Sequence, residues 1–169
     1  MARFKIISLI LLFTTIFSIN SKPELTDVNT INSFLIERIH FHKRDKFFTN
    51  KELNKMSQII RIAEQEYGIE PLLLIALISQ ESHFNKYATG KNKKKKKIVS
   101  VDYGWTQQNS KYIKQRFKKA SKILDEYGVY YDIDDKYDTA LNIMSGAMFL
   151  KEIKDSLNRK GQYTTFRML

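Results

Sequence analysis

The segment PLLLIALISQESHF, residues 71–84, places an unbroken apolar run directly before a carboxylate and a hydroxyl. Pro71 suits the first turn of a helix, and the run Leu72–Ile78 leaves that helix no polar face. Such a helix is enclosed by other helices, so we expect it at the centre of the core. Glu81 then stands out, because an isolated ionised carboxylate is costly to bury. Either a partner neutralises it, or its perturbed pKa serves the function of the protein.

The rest of the chain is predicted to be mostly helical, because apolar side chains recur at three- and four-residue spacing. The first expected helix covers residues 27–42, and the second begins at the capping-box pattern Thr49–Glu52 and ends at Gly68. After the central helix, a further helix begins at Asn109 or Ser110 and ends at Gly128, and the last begins near Asp135. Gly146 inside the last helix predicts a close packing contact there. A short hairpin is predicted around residues 90–103. The fold class is therefore all-α.

The first residues have the pattern of an export signal. Arg3 and Lys5 precede the apolar run Ile6–Phe13, which is short for a membrane span. We assign residues 1–21 to a signal peptide, with an uncleaved N-terminal anchor as the alternative. The chain has no Cys and therefore no lipid-attachment site. We expect an exported protein, periplasmic or associated with the cell envelope, that meets the membrane only through this segment.

The remainder is long enough for one domain and strongly basic. The 169-residue chain carries a net charge of +11, which falls to +9 without the two basic residues of segment 1–21. A basic exported domain suits an anionic polymer such as cell-wall glycan, a membrane surface or nucleic acid. Six lysines fall within residues 91–97; such a run is commonly a solvated loop, and it can also hold or guide an anionic strand. Nucleic acid is disfavoured, because Tyr112 and Phe117 are predicted to face the core.

No metal or other cofactor is expected. The stretch HFH, residues 40–42, puts its two imidazoles on different faces of a helix, and no acidic cluster accompanies them in the sequence. Polar candidates for a site instead follow the central helix. Glu81 and Ser82 end that helix, and the segment SVDYGWTQQNS, residues 100–110, adds further polar residues.

Three stretches resemble the lytic transglycosylases of glycoside hydrolase family 23, which share the lysozyme-like fold. ALISQESHFNKYATG, residues 76–90, is similar to the motif in which the catalytic Glu is followed by Ser. Residues 100–110 resemble the Ser-x-Asp-x-Gly-x-x-Gln-x-Asn pattern of secretion and pilus transglycosylases and of animal-type lysozymes. NIMSGAMFLKEI, residues 142–153, resembles the helix that packs behind the site. The resemblance covers roughly residues 55–155.

The resemblance implies a lysozyme-like transglycosylase domain of the SLT type over residues 49–169, preceded by an N-terminal helical segment, 22–48. It implies that Glu81 cleaves peptidoglycan between N-acetylmuramic acid and N-acetylglucosamine as acid and then as base, leaving a 1,6-anhydro end. Apolar residues at i−3, i−4 and i−7 would raise the pKa of Glu81 and keep the acid protonated. The family likeness also suggests a secretion or flagellar assembly as a partner.

Five further residues receive substrate-binding roles from the resemblance, each with a structural alternative. Ser82 would orient the Glu or the substrate, or satisfy the helix backbone. Gly104 would let the backbone approach the saccharide or serve as a turn glycine. Gln107 would hydrogen-bond the sugar or the backbone of its own loop. Trp105 would stack on a sugar ring or pack in the core. Asn142 would bond across the cleft floor or lie on a helix surface.

Two departures from the family pattern leave other functions open. Thr106 stands where the family usually has Met, and the family's Ala-Tyr-Asn motif does not occur before Leu169, so the domain is expected to be C-terminally incomplete. One alternative is a lysozyme-type hydrolase that uses Asp102 as a second carboxylate. Another is an inactive peptidoglycan-binding module. A third is a membrane-anchored basic scaffold in which Glu81 is merely paired.

Overall fold

The computed structural model describes residues 26–159, which contain five helices and a three-stranded antiparallel sheet. In chain order they are α1 (Val28–Phe41), a 3₁₀ turn (Asp45–Phe47), α2 (Asn50–Tyr67), α3 (Pro71–Ser82), β1 (Thr89–Lys94), β2 (Lys97–Tyr103), β3 (Gln108–Asn109), α4 (Ile113–Glu126) and α5 (Thr139–Arg159). The mainly helical class and the hairpin near residues 90–103 are confirmed. The predicted export segment, residues 1–21, lies outside the described residues.

The described residues up to Lys151 belong to one compact unit, and α5 from Glu152 onward belongs to a second. Helix α1 packs against α2 and α3 within the first unit. The structure describes only part of the predicted segment 22–48, and its helix lies in the same unit as the later helices. None of the helices within residues 26–159 is long and apolar enough to span a membrane.

Helix α3 supplies the centre of the core, as its apolar sequence predicts. Leu74, Ile75 and Ile78 are buried almost completely. The enclosure is not complete, because Leu72 in the first turn is 40% exposed. Pro71 occupies the first helical position, where its missing N–H removes no helical hydrogen bond. The apolar run thus anchors the helix that carries Glu81.

The predicted capping box opens α2. Thr49 Oγ1 accepts a hydrogen bond from the Glu52 backbone N–H at 3.2 Å, and Glu52 Oε2 accepts one from the Thr49 N–H at 2.8 Å. The hydrogen bond from the Thr49 backbone, followed by the one from its hydroxyl, lowers the pKa of Glu52. Gly68 closes the helix in the left-handed conformation, as predicted.

Thr49→Ala is expected to lower the free energy of unfolding by about 1 kcal/mol, because the Glu52 N–H loses its acceptor. Asn50→Ala, at the next position, is the matched control.

Glu52 has a depressed pKa in the folded state. Its contribution to the free energy of unfolding is therefore present above its unfolded-state pKa and is lost as pH falls through the folded-state pKa. Glu52→Gln should therefore reduce the loss of stability between neutral pH and about pH 3 in urea titrations. An identical acid slope in wild type and Glu52→Gln would contradict this account.

The sheet brings residues from the lysine-rich segment opposite the second predicted motif. Gly90 pairs with Asp102 and Asn92 with Ser100, and the register then shifts between Asn92 and Lys93. The short strand β3, which was not predicted, pairs Asn109 with Asp102. Two residues are too few to produce a readable alternation in sequence.

Helix α4 begins later than predicted. Asn109 belongs to β3, and the Ser110 N–H donates to the Val101 carbonyl at 2.7 Å, so neither residue starts the helix. Tyr112 is 56% exposed, which corrects the prediction that it faces the core, whereas Phe117 is buried as expected. Of the two aromatic residues, only the buried Phe117 therefore counts against a nucleic-acid partner.

Candidate active site

Glu81 is the penultimate residue of α3 and is half-buried. The residues one and two turns before it on the same helical face, Leu74, Leu77 and Ile78, are all buried. His83 and Phe84 then take left-handed φ angles of 50° and 55°, which end the helix abruptly. The carboxylate thus stands where a buried helix terminates, at the head of the loop that leads to β1.

Aromatic packing fixes this helix end. Phe84 is 2% exposed, and its ring centroid lies 6.4 Å from that of Phe48 and 5.8 Å from that of His42. His42 Nε2 hydrogen-bonds Ser79 Oγ at 2.7 Å. Burial first, and then the positive charge of neighbouring groups including His83, lowers the pKa of His42. A neutral imidazole therefore braces the last turn of α3 at neutral pH.

Ser82 takes the structural alternative proposed for it. Its side chain is buried, and its hydroxyl donates to the Ile78 carbonyl at 2.9 Å. The hydroxyl is thus used within α3, in the bond that a helical Ser makes to the carbonyl four residues before it.

A hydrogen-bonded loop joins the second motif to the residues that follow α3. The Gly104 N–H donates to the Ala88 carbonyl at 3.0 Å. Gln107 Nε2 donates to the Ala88 carbonyl at 3.1 Å and to the Gly104 carbonyl at 3.0 Å. Both amide hydrogens of Gln107 are thus used within the loop, as the alternative for this residue anticipated. The amide oxygen remains, and it lies 2.9 Å from the point that a Cβ on Gly90 would occupy.

Asn142 on α5 clamps the same loop from behind. The side chain is fully buried, so the prediction of a helix-surface Asn is wrong. Its Nδ2 donates to the Tyr103 carbonyl at 3.0 Å, and its Oδ1 accepts from the Thr106 N–H at 2.8 Å. Gly104 lies between them with φ +77°, and a Cβ on it would overlap the Asn142 amide. The clamp therefore requires glycine at position 104.

One turn further along α5, Gly146 makes the close contact that its place in a helix predicted. A Cβ on Gly146 would lie 2.5 Å from Thr106 Cγ2. Thr106 is buried, and its hydroxyl donates to the Asn142 carbonyl at 2.8 Å. Thr106, at the position where the family usually has Met, is thus part of the interior that supports the loop.

Asp102 is fixed by a polar network on the sheet. Its Oδ1 accepts a hydrogen bond from Asn109 Nδ2 at 2.6 Å, and its Oδ2 accepts one from Asn92 Nδ2 at 2.8 Å. Both amides also donate to Ser100 Oγ, at 3.0 Å and 3.1 Å. Asn92 was missed in the sequence because it sits within the lysine run, and only the strand register brings it to this network.

Trp105 lies in the core. It is 4% exposed, its ring centroid lies 5.7 Å from that of Phe48, and its Nε1 donates to Thr139 Oγ1 at 3.3 Å. Both the ring and the polar atom are therefore engaged inside the protein. Of the two alternatives for Trp105, core packing is the one that the structure shows.

Hydrogen bonds thus hold Gly104 and Gln107 in one loop, and Asn142 on α5 clamps that loop. The strand that leads into the loop carries Asp102. The same loop is tied to Ala88, seven residues after Glu81. The arrangement offers a half-buried carboxylate at a helix end, a second carboxylate fixed by amide donors, and a loop whose backbone is held rigidly. Such a set suits acid–base chemistry on a polar substrate.

The model of the Transglycosylase SLT domain family matches residues 58–165, which is more than half of the chain. The match includes α3, the sheet, α4 and the part of α5 that carries Asn142 and Gly146. No curated protein and no solved structure gives a significant match. At the level of the family, the activity is lytic cleavage of peptidoglycan. On this sequence match and the lysozyme-like helical fold, the chain belongs to the transglycosylase SLT domain family.

Proposed function

We propose that this protein is a peptidoglycan lytic transglycosylase in which Glu81 is the catalytic acid and base. The observation that carries the proposal is the SLT match over residues 58–165, which includes a carboxylate at the end of a buried helix. The rigid loop at Gly104–Gln107 supports it, because substrate must be positioned closely for acid catalysis. The place of action would be the periplasm or the cell envelope.

The reaction needs only one carboxyl group. Glu81 gives its proton to the glycosidic oxygen as the bond from the anomeric carbon of N-acetylmuramic acid to that oxygen breaks. The resulting carboxylate then takes the proton of the 6-hydroxyl of the same sugar. The 6-oxygen bonds to the anomeric carbon and closes the 1,6-anhydro ring, so the proton balance of Glu81 is restored without water.

The loop would contact the glycan through those polar groups that its internal hydrogen bonds do not use. Both N–H groups of the Gln107 amide are committed to backbone carbonyls, so the side chain would act through its oxygen. This oxygen would accept a hydrogen bond from a sugar hydroxyl or acetamido N–H. Gly104 would present bare backbone to the saccharide.

A hydrolase is the second candidate, and the network around Asp102 favours it. Both carboxylate oxygens accept hydrogen bonds from side-chain amides, an arrangement that suits an ionised, acceptor-only group. A fixed carboxylate near the anomeric carbon is what a lysozyme-type reaction requires. Product chemistry separates the two reactions, because hydrolysis gives reducing ends and transglycosylation gives anhydro ends.

The test is mass spectrometry of the fragments that the full chain releases from insoluble peptidoglycan. Anhydro-ended fragments are the expected result, and reducing ends would assign the hydrolase. Binding to sacculi without release would favour the inactive binding module. If neither binding nor release occurs, the basic scaffold is the better account.

Asp102→Asn is expected to retain anhydro product formation, with a rate loss of about tenfold or less, because the transglycosylase route uses one carboxylate. Asn92 and Asn109 can reorient their amides to accept the new N–H group, since both also contact Ser100 Oγ. The rate of fragment release and the product ends are measured together. Loss of turnover by more than about a hundredfold with folding intact would instead show that Asp102 takes part in the chemistry.

A further inference from the structure

The tip of the β1–β2 hairpin is a dense cationic surface. We call residues Lys93–Lys97 the basic tip; Lys91 precedes it on β1. All five side chains of the tip are exposed, and the sequence contains no acidic residue from Ser82 through Val101. The ion pairs formed within the described residues, such as Arg61–Glu64, lie elsewhere. The charge of the tip is therefore turned outward.

The geometry of the tip does not favour lysine. Lys95 and Lys96 form the turn with φ angles of 48° and 67°, a region that hairpins usually fill with Asn and Gly. Lys94 pairs directly with Lys97, and like charges at facing positions destabilise a sheet. The tip thus combines backbone strain with charge repulsion. Such a combination points to a function outside folding.

Apolar side chains lie next to the charge. Ile98 is 53% exposed and Val99 is 44% exposed, directly after the basic tip. The register shift leaves Val99 without a facing residue, because Lys93 pairs with Ile98 and Asn92 with Ser100. Charge alone would fit any polyanion, whereas exposed apolar side chains beside lysines match the boundary between lipid headgroups and acyl chains.

We propose that the basic tip docks on an anionic lipid bilayer, with its lysines against the phosphate headgroups and with Ile98 and Val99 at the acyl boundary. This inference is independent of the proposed catalytic function. It gives the folded domain a membrane contact of its own, in addition to the one predicted for residues 1–21. The six lysines of segment 91–97 fall in the range of four to eight over which basic clusters recognise acidic lipids.

The experiment places an environment-sensitive fluorophore on the hairpin of the full chain. Because the chain has no Cys, Val99→Cys gives a single labelling site and replaces one apolar side chain by another. Vesicles of phosphatidylcholine alone are compared with vesicles that also contain phosphatidylglycerol. We expect a blue shift of emission only with phosphatidylglycerol, and we expect added salt to weaken it. The label reports on the hairpin even when the N-terminal segment binds the same vesicle.

Two charge variants of the labelled chain are matched. The first variant changes four lysines of the tip to Gln: Lys93, Lys94, Lys95 and Lys96. The second changes four exposed lysines of the α4 region to Gln: Lys111, Lys114, Lys118 and Lys119. The first should need roughly a hundredfold or more lipid for the same shift, and the second should need less than about tenfold more. Equal losses in both variants, or equal shifts on both vesicle types, would overturn the proposal. A shift of the same size with soluble polyphosphate would reassign the surface to polyanions and also overturn it.

Discussion

Glu81→Gln is expected to slow fragment release from peptidoglycan by about 10²–10⁴-fold while the protein remains folded. Gln has the size of Glu but cannot transfer a proton to the leaving oxygen, and it cannot take one from the 6-hydroxyl. The apolar residues beneath position 81, Leu74, Leu77 and Ile78, keep their packing in the variant. Initial rates of release at neutral pH and thermal unfolding of the same preparations are the measurements.

The matched control for Glu81→Gln is Glu126→Gln, an isosteric change at an exposed residue at the end of α4. It should leave release within about twofold of wild type, since a surface substitution removes no reacting group. Binding of Glu81→Gln to sacculi should persist, because the loop at Gly104–Gln107 is unchanged. Turnover of Glu81→Gln at the wild-type rate would remove Glu81 from the mechanism and contradict its assignment as the catalytic acid and base.

Asn142→Ala is expected to lower the free energy of unfolding by about 2–5 kcal/mol, because it strands several buried polar groups at once. The Thr106 N–H loses its acceptor in a buried hydrogen bond, and the Tyr103 carbonyl loses a donor in a partly buried one. Fragment release should fall as well, since the loop that carries Gly104 loses its support. Urea unfolding curves, with the slope checked against wild type, measure the first effect.

Asn142→Asp is the graded control. It keeps an oxygen for the Thr106 N–H but turns a carboxyl oxygen toward the Tyr103 carbonyl, and burying the ionised carboxylate adds a cost of its own. Its loss of stability is therefore expected to be smaller at acidic pH, where the carboxyl group is protonated and can donate. Asn29→Ala changes an exposed Asn in the first turn of α1, and it should cost less than about 1 kcal/mol. A stability of Asn142→Ala within about 0.5 kcal/mol of wild type would show that the clamp contributes nothing.

The features that sequence predicts best are those set by local pattern. The capping box at Thr49, the apolar run of α3 and the need for contact at Gly146 each depend on a few neighbouring residues, and each is confirmed. The family could also be predicted, because its motifs are short runs of adjacent residues. The roles proposed for Glu81, Ser82 and Gln107 in catalysis or binding stay predictions.

Predictions failed where distant segments decide the outcome. The helix-surface alternative for Asn142 failed, because every residue from Ala140 to Ala147 is buried and α5 therefore has no solvent face there. The role of Asn92 follows from a strand pairing with a register shift, which local pattern does not encode. Tyr112 was assigned to a helical face, although the pairing of β3 delays the start of α4.

The contact between Gly146 and Thr106 makes any substitution of Gly146 depend on the residue at position 106. Any larger residue at 146 collides with the Thr106 side chain, which is branched and held by hydrogen bonds and therefore has little room to give. A longer side chain at position 106, including the Met that is usual in the family, would have to be accommodated against α5. Gly146 can therefore be enlarged only together with a smaller residue at 106, and directed evolution by single substitutions would find position 146 closed although double changes remain open.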